Sequence, residues 1–183
     1  MKKAIIAMSG GVDSSVSALL MKEQGYECIG ATMKLYDNDD IGVCSDKTCC
    51  SLDDIEDARA VATKLGMPYY VFNFKDEFNE KVIKKFVITY ENGGTPNPCI
   101  DCNRHLKFEK LMRRMQELKF DFVVTGHYAD IEYVNGRYML KKGKDLSKDQ
   151  SYVLYSLTQF QLEHTLFPLG KYSKEEIRRV AEE

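Results

Sequence analysis

The chain has 183 residues, 44% of them hydrophobic and 30% charged, which suffices for one domain with a sizeable core and part of a second. Its formal net charge of −2 is not that of a dedicated nucleic-acid binder, although it leaves room for local basic patches. The sequence contains neither a run of about 18 apolar residues nor a signal peptide, so we expect a cytoplasmic protein with no membrane contact.

The amino terminus predicts a strand, a glycine-rich turn, a helix and a second strand. KAIIAM at 3–8 is the first strand, the helix is expected from near Asp13 to Gly25, and YECIGATMK at 26–34 is the second strand. The turn reads SGGVDSS (residues 9–15), and its glycines bring backbone N–H groups close to a ligand at the positive end of the helix dipole. This pattern predicts a phosphate site; the alternative is an ordinary turn that caps the helix.

The turn differs from the familiar phosphate loops. It lacks the lysine of GxxxxGK[ST] and the spacing of GxGxxG, so transfer of a γ-phosphate is not supported. Asp13 inside an anion site would repel phosphate unless a cation lies between them. The sequence therefore predicts Mg²⁺ beside Asp13.

The central part of the chain alternates helices and strands around two irregular loops. The first loop, at 36–50, carries Cys44, Cys49 and Cys50, and the second, at 93–103, reads GGTPNPCIDCN. Helices are expected at 51–65, 78–90 and 106–118, and strands at 69–74 and 120–127. This alternation predicts an α/β fold with a doubly wound, Rossmann-like parallel sheet. Such sheets bind ligands at the carboxyl ends of their strands, so SGGVDSS, ATMK and TGH are expected to converge there.

After the fourth strand the pattern changes. Asn135 and Gly136 stand between alternating residues, which predicts a β-hairpin. Residues 151–157 (SYVLYSL) fit either a strand or a helix, and residues 158–165 suit a short helix.

Ser173 and Glu176 have the spacing of a capping box and predict the start of a final helix. We therefore divide the chain into a nucleotide-binding domain at 1–130 and a second unit at 131–183. That second unit contains the hairpin and the start of a helical central domain.

The cysteines favour metal binding or thiol chemistry over disulfides, because cytosolic thiols stay reduced. Cys99 and Cys102 form a CxxC pair, which fits half of a zinc site, two ligands of an iron–sulfur cluster, or a reactive thiol. Cys102 stands before a predicted helix and Arg104, both of which favour the thiolate. Cys28 lies on a predicted strand and is expected in the core. Basic residues that form either a nucleic-acid contact or a solvated helix face are Arg104, Lys107, Lys110, Arg113 and Arg114.

Several blocks of the sequence resemble one enzyme family. SGGVDSS after a first strand resembles the PP-loop of the ATP pyrophosphatase superfamily, which has the adenine nucleotide alpha hydrolase-like fold. Together with TPNPCIDCNRHLKF, TGHYA and KDQSYVLYSLTQFQLEHTLFPLG, nearly the whole chain resembles the MnmA-type tRNA-specific 2-thiouridylases. The resemblance implies ATP-dependent thiolation of the wobble uridine of tRNA, with a persulfide-carrying donor protein as a further partner.

In that reaction uridine O2 is adenylated with release of pyrophosphate, and cysteine-borne persulfide sulfur then displaces AMP. The missing lysine fits this chemistry, because the outer phosphates leave together instead of being transferred. Sulfur transfer also requires a reactive cysteine in a polar setting.

The resemblance assigns roles to individual residues. Those implied to hold ATP are Ala7, Met8, Ser9, Gly10, Gly11, Val12, Asp13 and Ser14, with Met33 at the adenine and Gly126 as a further contact. Those implied to contact tRNA are Asn97, Pro98 and Cys99 at the target base, and His127, Lys148, Asp149 and Gln150 elsewhere. Cys102 is the implied catalytic cysteine, and Asp13 with its Mg²⁺ is the second residue expected to act in catalysis. Residues 131–183 would begin a central tRNA-binding domain.

Members of that family are longer and carry a second catalytic cysteine, which none of the cysteines here matches. We therefore expect this chain to be a fragment that binds ATP without completing thiolation. Two other hypotheses stay open: an ATP-binding module without catalysis, and a PP-loop synthetase that acts on a small acceptor.

Overall fold

A computed structural model describes residues 1–36 and 52–182 of the chain; the predicted loop with Cys44, Cys49 and Cys50 lies outside them. The strands are β1 (Lys3–Ala7), β2 (Glu27–Lys34), β3 (Tyr69–Asn73), β4 (Phe122–Val124), β5 (Ala129–Val134), β6 (Arg137–Lys142) and β7 (Thr165–Leu166). The helices are α1 (Val12–Glu23), α2 (Leu52–Lys64), α3 (75–91), α4 (98–117), α5 (Gln159–Glu163) and α6 (Lys174–Glu182). Helices α3 and α4 are each continuous, with π-helical segments at Asn79–Ile83 and Cys102–Leu111. Within these described ranges, no helix is long and apolar enough to span a membrane.

Five parallel strands of the described residues form one sheet in the order β3-β2-β1-β4-β7. β1 lies at the centre, and its residues Ala4, Ile5 and Ile6 are fully buried, as expected for a parallel strand with helices on both faces of the sheet. The predicted α/β fold is confirmed. Strand β7 is not apparent from the sequence, because a strand of two residues is too short to give a periodic pattern.

The predicted hairpin is confirmed as the antiparallel pair β5–β6. Asn135 and Gly136 at its turn have φ angles of 50° and 81°, which is the left-handed backbone that a tight two-residue hairpin turn requires. Asparagine and glycine adopt this backbone at low cost, so the local sequence is sufficient to place the turn.

The segment after the hairpin returns to the first part of the fold. β7 pairs with β4 in the same sheet, and Ile177 of α6 is buried in a cluster with Val16 and Leu20 of α1. The predicted capping box is present, since the Glu176 N–H donates to Ser173 Oγ at 3.2 Å. The division of the chain near residue 130 stays a prediction.

One predicted boundary is wrong. The sequence suggests a loop to residue 103, whereas α4 already begins at Pro98. Asn97 caps this helix by accepting a hydrogen bond from the Cys99 N–H at 3.1 Å, and Pro98 occupies the first helical position, where its missing N–H costs nothing. Cys102 therefore lies in the second turn of the helix and does not open it.

Candidate active site

The turn between β1 and α1, residues 8–14, is called the glycine loop below. Met8 is buried, its N–H donates to the Ala31 carbonyl at 2.9 Å, and its own carbonyl accepts from Thr32 Oγ1 at 2.7 Å. Ser14 closes the loop: its Oγ accepts from the Ser9 N–H at 3.2 Å and donates to the Gly11 carbonyl at 2.9 Å. The loop is thus fixed by hydrogen bonds to β2 and within itself.

Glycine is required at one position of the loop. Gly10 has a φ of 76°, and a Cβ there would lie 2.6 Å from the Asp54 carbonyl oxygen in α2. Gly11 is the N-cap of α1, and no side chain of the described residues caps that helix. Its first-turn N–H groups therefore face the loop opening, which is the arrangement that binds anions.

The carboxyl ends of three strands meet at this loop, as predicted. Ala7 at the end of β1 pairs in register with Ala31, two residues before the buried Met33. Gly126 follows β4 and approaches α1 so closely that a Cβ would lie 3.0 Å from the Asp13 carbonyl carbon. The residues expected to hold ATP are therefore neighbours at one edge of the sheet.

Asp13 has partners that the sequence does not reveal. Lys174 Nζ lies 2.6 Å and 2.7 Å from its two carboxylate oxygens, and the Tyr128 hydroxyl donates to Oδ1 at 2.8 Å. Burial, together with the bond to Asp13, raises the pKa of Tyr128 above its usual value, so the phenol stays a donor. A Mg²⁺ ion at Asp13 would have to share or replace these donors. Lys174 lies 161 residues from Asp13 in the chain, and no local pattern connects them.

His127 is only 6% exposed. Its ring packs against Phe108 and Phe167, and its Nδ1 is hydrogen-bonded to Thr125 Oγ1 at 2.7 Å. Burial, with a smaller effect from Lys107, holds the pKa of the imidazole well below its usual range. The ring is therefore neutral at physiological pH, and its contact with tRNA stays a prediction.

Of residues 148–150, which are expected to contact tRNA, Gln150 is joined to Tyr128 by two hydrogen bonds. The Gln150 N–H donates to the Tyr128 carbonyl at 3.0 Å, and Gln150 Oε1 accepts from the Tyr128 N–H at 3.1 Å. The Asp149 carboxylate accepts from Ser151 Oγ at 2.8 Å, and Lys148 is exposed. This segment therefore contacts the Asp13 site through the backbone of Tyr128.

Helix α4, called the cysteine helix below, carries both thiols of the CxxC pair. Cys99 is exposed and Cys102 is partly buried. Cys102 packs against the core cluster that includes Met33 and Leu35 at the end of β2. Phe108 of the same helix packs against His127, which follows β4.

Two polar side chains next to these thiols are buried. Asp101 is bonded to Lys85 Nζ of α3 at 2.6 Å, and only 12% of its side chain is exposed. Asn103 donates to the Cys99 carbonyl at 2.9 Å, while its Oδ1 is the buried side-chain acceptor that lacks a partner among the described residues. An orphaned buried acceptor is uncommon in a folded protein, and here it adjoins Cys102.

No group of three histidine, cysteine or acidic residues suited to a metal ion occurs within residues 1–36 and 52–182. Cys99 and Cys102 alone supply two thiols, while zinc sites and iron–sulfur clusters are usually held by four ligands. The possibility of zinc or an iron–sulfur cluster at this pair stays a prediction. Cys44, Cys49 and Cys50 lie outside the described residues.

The predicted basic cluster divides into paired and unpaired members. Lys110 Nζ bonds Glu77 Oε1 at 2.7 Å, and Arg113 and Arg114 both bond Glu117. Arg104 is exposed and forms no ion pair with a described residue. Binding of a nucleic-acid phosphate to Arg104 would therefore cost less free energy than binding to the paired cations, because no ion pair has to be broken first.

Comparison with known proteins gives a consistent match. Residues 2–183 match the family model described as tRNA methyl transferase HUP domain. A tRNA-specific 2-thiouridylase MnmA of Clostridium kluyveri is 55% identical over 182 residues, which cover 100% of this chain and 51% of that protein. A tRNA-specific 2-thiouridylase MnmA 1 of Thermoanaerobacter pseudethanolicus is 57% identical, with coverage of 98% and 50%. The chain spans about half the length of the curated relatives it matches.

Two solved structures are similar in fold. The U34-tRNA thiolase NcsA of Methanococcus maripaludis, with its [4Fe-4S] cluster, has a TM-score of 0.59 at 22% identity and covers 99% of this chain and 56% of its own. A 4-thiouridine synthetase in complex with RNA and ATP has a TM-score of 0.67 at 16% identity, with coverage of 99% and 40%. At these identities the similarity shows the fold alone.

Proposed function

The chain belongs to the tRNA methyl transferase HUP domain family, and we propose that it carries the nucleotide site and one catalytic cysteine for ATP-dependent 2-thiolation of the wobble uridine in tRNA. The observation that carries this proposal is the glycine loop at an uncapped helix N-terminus, beside the carboxyl ends of three strands. The chain also carries a partly exposed thiol, Cys102. Relatives with 55% identity carry the name of this activity.

The nucleotide half of the reaction belongs to the glycine loop. Ala7 to Ser14 hold the phosphates through backbone N–H groups, the Met33 backbone meets the adenine, and Gly126 completes the site. A Cβ at Gly11 would be no closer than 3.8 Å to its nearest neighbour, Ser9 Oγ, so this face of the loop has room for a ligand. Asp13 is the residue that would hold Mg²⁺ here, and the ion would offset the negative charge of the phosphates; the Asp13 carboxylate bonds Lys174 in this structure.

The loop holds the β- and γ-phosphates as a leaving group. Uridine O2 attacks the α-phosphorus, the bond to the bridging oxygen breaks, and pyrophosphate leaves. The C2 carbon of the adenylated base is then electrophilic, and AMP is the group that departs when sulfur attacks. This two-step scheme explains a phosphate loop that has no lysine of its own to polarise a transferred γ-phosphate.

The sulfur half belongs to the cysteine helix. Asn97, Pro98 and Cys99 lie at its amino end, where they contact the target base, and Cys102 takes part in delivery of persulfide sulfur from a donor protein. Cys102 is suited to this role because a partly exposed thiol can be reached by a partner. The chain binds ATP and adenylates tRNA, and completion of sulfur transfer needs a second cysteine that none of the cysteines here matches.

Transfer RNA is held by cations and polar groups around this edge. Lys148, Asp149 and Gln150 form one contact segment, and His127 belongs to the same side of the sheet. Because His127 is neutral and buried, its contribution is to shape the site and not to add charge.

The test uses purified chain, ATP and tRNA. Titration calorimetry should show binding of Mg·ATP, and labelled ATP should release pyrophosphate only when tRNA with a uridine at the wobble position is present. The control is the same tRNA with cytidine at that position. Failure to bind ATP would contradict the proposal, and pyrophosphate release with a small acceptor but not with tRNA would favour a PP-loop synthetase instead.

A further inference from the structure

We propose that Tyr128 is a positioning residue for the nucleotide site, because its hydroxyl holds the Asp13 carboxylate in the orientation in which it binds Mg²⁺. The inference rests on the proposed function, since it concerns the residue that would hold the ion of Mg·ATP. Tyr128 acts here through Asp13 and not through a contact of its own with the nucleotide.

The Tyr128 hydroxyl selects one orientation of the carboxylate. It donates to Asp13 Oδ1 at 2.8 Å. The last torsion of an aspartate side chain has a broad energy minimum, so a fixed donor to one oxygen removes a freedom that the side chain otherwise keeps. Carboxylate oxygens are ligands that Mg²⁺ prefers, and 34% of the Asp13 side chain is exposed, so the residue suits the ion.

The ring that carries this hydroxyl is held by packing. Tyr128 is only 3% exposed. Its neighbours in one hydrophobic cluster are Val16, Leu20, Leu169 and Ile177. Two members of this cluster belong to α1, the helix that also carries Asp13, so the donor and the acceptor are fixed relative to each other.

The backbone of Tyr128 is fixed as well. The Gln150 N–H donates to its carbonyl at 3.0 Å, and Gln150 Oε1 accepts from its N–H at 3.1 Å. Gly143 approaches so closely that a Cβ there would lie 3.1 Å from the Tyr128 carbonyl carbon. Packing and hydrogen bonds of this kind are what a residue needs in order to position a functional group.

A neutral donor suits a carboxylate that binds a metal ion. Burial, together with the bond to Asp13, raises the pKa of Tyr128 above its usual value, so the phenol keeps its proton. The Lys174 ammonium also bonds Asp13, but a cation on this carboxylate would repel a metal ion, whereas the hydroxyl would not. The Tyr128 bond is therefore the one that can persist in the Mg·ATP complex.

The test compares Mg·ATP with ATP in excess chelator, by titration calorimetry of the purified chain. Tyr128→Phe keeps the ring and removes only the hydroxyl. It should weaken binding of Mg·ATP about 10-fold, the value of a hydrogen bond to a charged group, and change the affinity for metal-free ATP by less than about twofold. The matched control is Tyr172→Phe, because Tyr172 packs against the same cluster. This control should leave the ratio of the two affinities unchanged.

The same substitution in the Asp13→Asn background separates positioning from packing. If Tyr128 acts through Asp13, adding Tyr128→Phe to Asp13→Asn should change the affinity for Mg·ATP by less than about twofold. A full loss in that background would overturn the assignment. Equal losses for Mg·ATP and metal-free ATP with Tyr128→Phe alone would also overturn it and leave a structural role.

Two further outcomes separate this inference from the proposed function. An unchanged affinity of Tyr128→Phe for Mg·ATP, or a wild-type affinity for ATP that does not depend on Mg²⁺, would overturn the role of Tyr128 while the proposed function would stand. A wild-type chain that binds ATP neither with nor without Mg²⁺ would overturn both.

Discussion

The glycine loop and the cysteine helix are held in place in different ways. The loop is held through hydrogen bonds to its own backbone: the Met8 N–H bonds the Ala31 carbonyl, and the Gly11 carbonyl accepts from the Ser14 hydroxyl. Gly10 is the position in the loop where a side chain would clash, since a Cβ there would lie 2.6 Å from the Asp54 carbonyl oxygen. Loops of this kind present N–H groups at fixed positions before any ligand arrives.

The cysteine helix is held by side chains. Lys85 bonds Asp101 at 2.6 Å and Lys110 bonds Glu77 at 2.7 Å, and both bonds tie α4 to α3. Cys99 is exposed, and Asn103 Oδ1 has no partner among the described residues. In the proposed function, the loop therefore binds the nucleotide and the thiols meet a partner. Substitutions in the loop should change stability and binding, and substitutions of the thiols should change chemistry alone.

The largest expected effect is on sulfur transfer. Cys102→Ser, introduced at the chromosomal locus, should lower 2-thiouridine in bulk tRNA by about a thousandfold or more, as loss of a catalytic nucleophile does. Mass spectrometry of nucleosides measures this, and ATP affinity of the purified variant should change less than twofold. The control is Cys28→Ala, because Cys28 is buried and burial raises the pKa of its thiol to about 11. A normal level of 2-thiouridine with Cys102→Ser would contradict a catalytic role for Cys102.

The next effect concerns the backbone of the loop. Gly10→Ala should reduce the free energy of unfolding by about 3 kcal/mol, because a left-handed φ and a contact with α2 both oppose a methyl group. Gly25→Ala is matched in φ, at 81°, but has nothing within 4 Å of its Cβ, so about 1 kcal/mol is expected. Urea denaturation measures both. Equal losses of unfolding free energy in Gly10→Ala and Gly25→Ala would mean that Asp54 moves away from the added methyl group at little cost.

The third effect depends on pH and on His127, which packs against Phe108 of the cysteine helix and against Phe167. Its pKa is lowered in the folded state, while an unfolded histidine has a pKa of about 6.5. The unfolded chain therefore binds a proton that the folded chain does not, and stability falls as pH drops below about 6.5, by up to about 1.4 kcal/mol per pH unit. Above that pH the contribution is fully present. His127→Gln should remove this part of the slope, and parallel wild-type and variant curves between pH 7 and pH 5 would contradict the assignment.

The smallest effect concerns phosphate contacts of tRNA. Arg104→Ala should weaken tRNA binding about threefold and lower the salt dependence by about one counterion. Arg113→Ala is the control, because Arg113 Nε already bonds Glu117 at 3.2 Å. Filter binding at several salt concentrations separates the two. A larger loss with Arg113→Ala would mean that its ion pair opens when tRNA binds.

Local patterns predict much of this fold. The strand, glycine turn and helix around SGGVDSS, the Asn135–Gly136 hairpin and the capping box at Ser173 are all confirmed. The predicted start of α4 is wrong, although an asparagine followed by a proline is a known signal for the start of a helix. The segment 93–103 contains two prolines and two glycines. This composition is typical of a loop, and it therefore hides the local signal for a helix.

The sequence alone is enough to predict a glycine turn between a strand and a helix on a parallel α/β sheet, because turns, caps and buried strands depend on neighbours a few positions away. Tertiary structure alone brings Lys174 and Tyr128 to Asp13, buries His127 between two phenylalanines and adds β7 to the sheet. These contacts join residues that are often more than a hundred positions apart, such as the 115 between Tyr128 and Asp13. Pairing over such distances leaves no period or spacing in one sequence, so the ion pair between Lys174 and Asp13 becomes visible only in the folded chain.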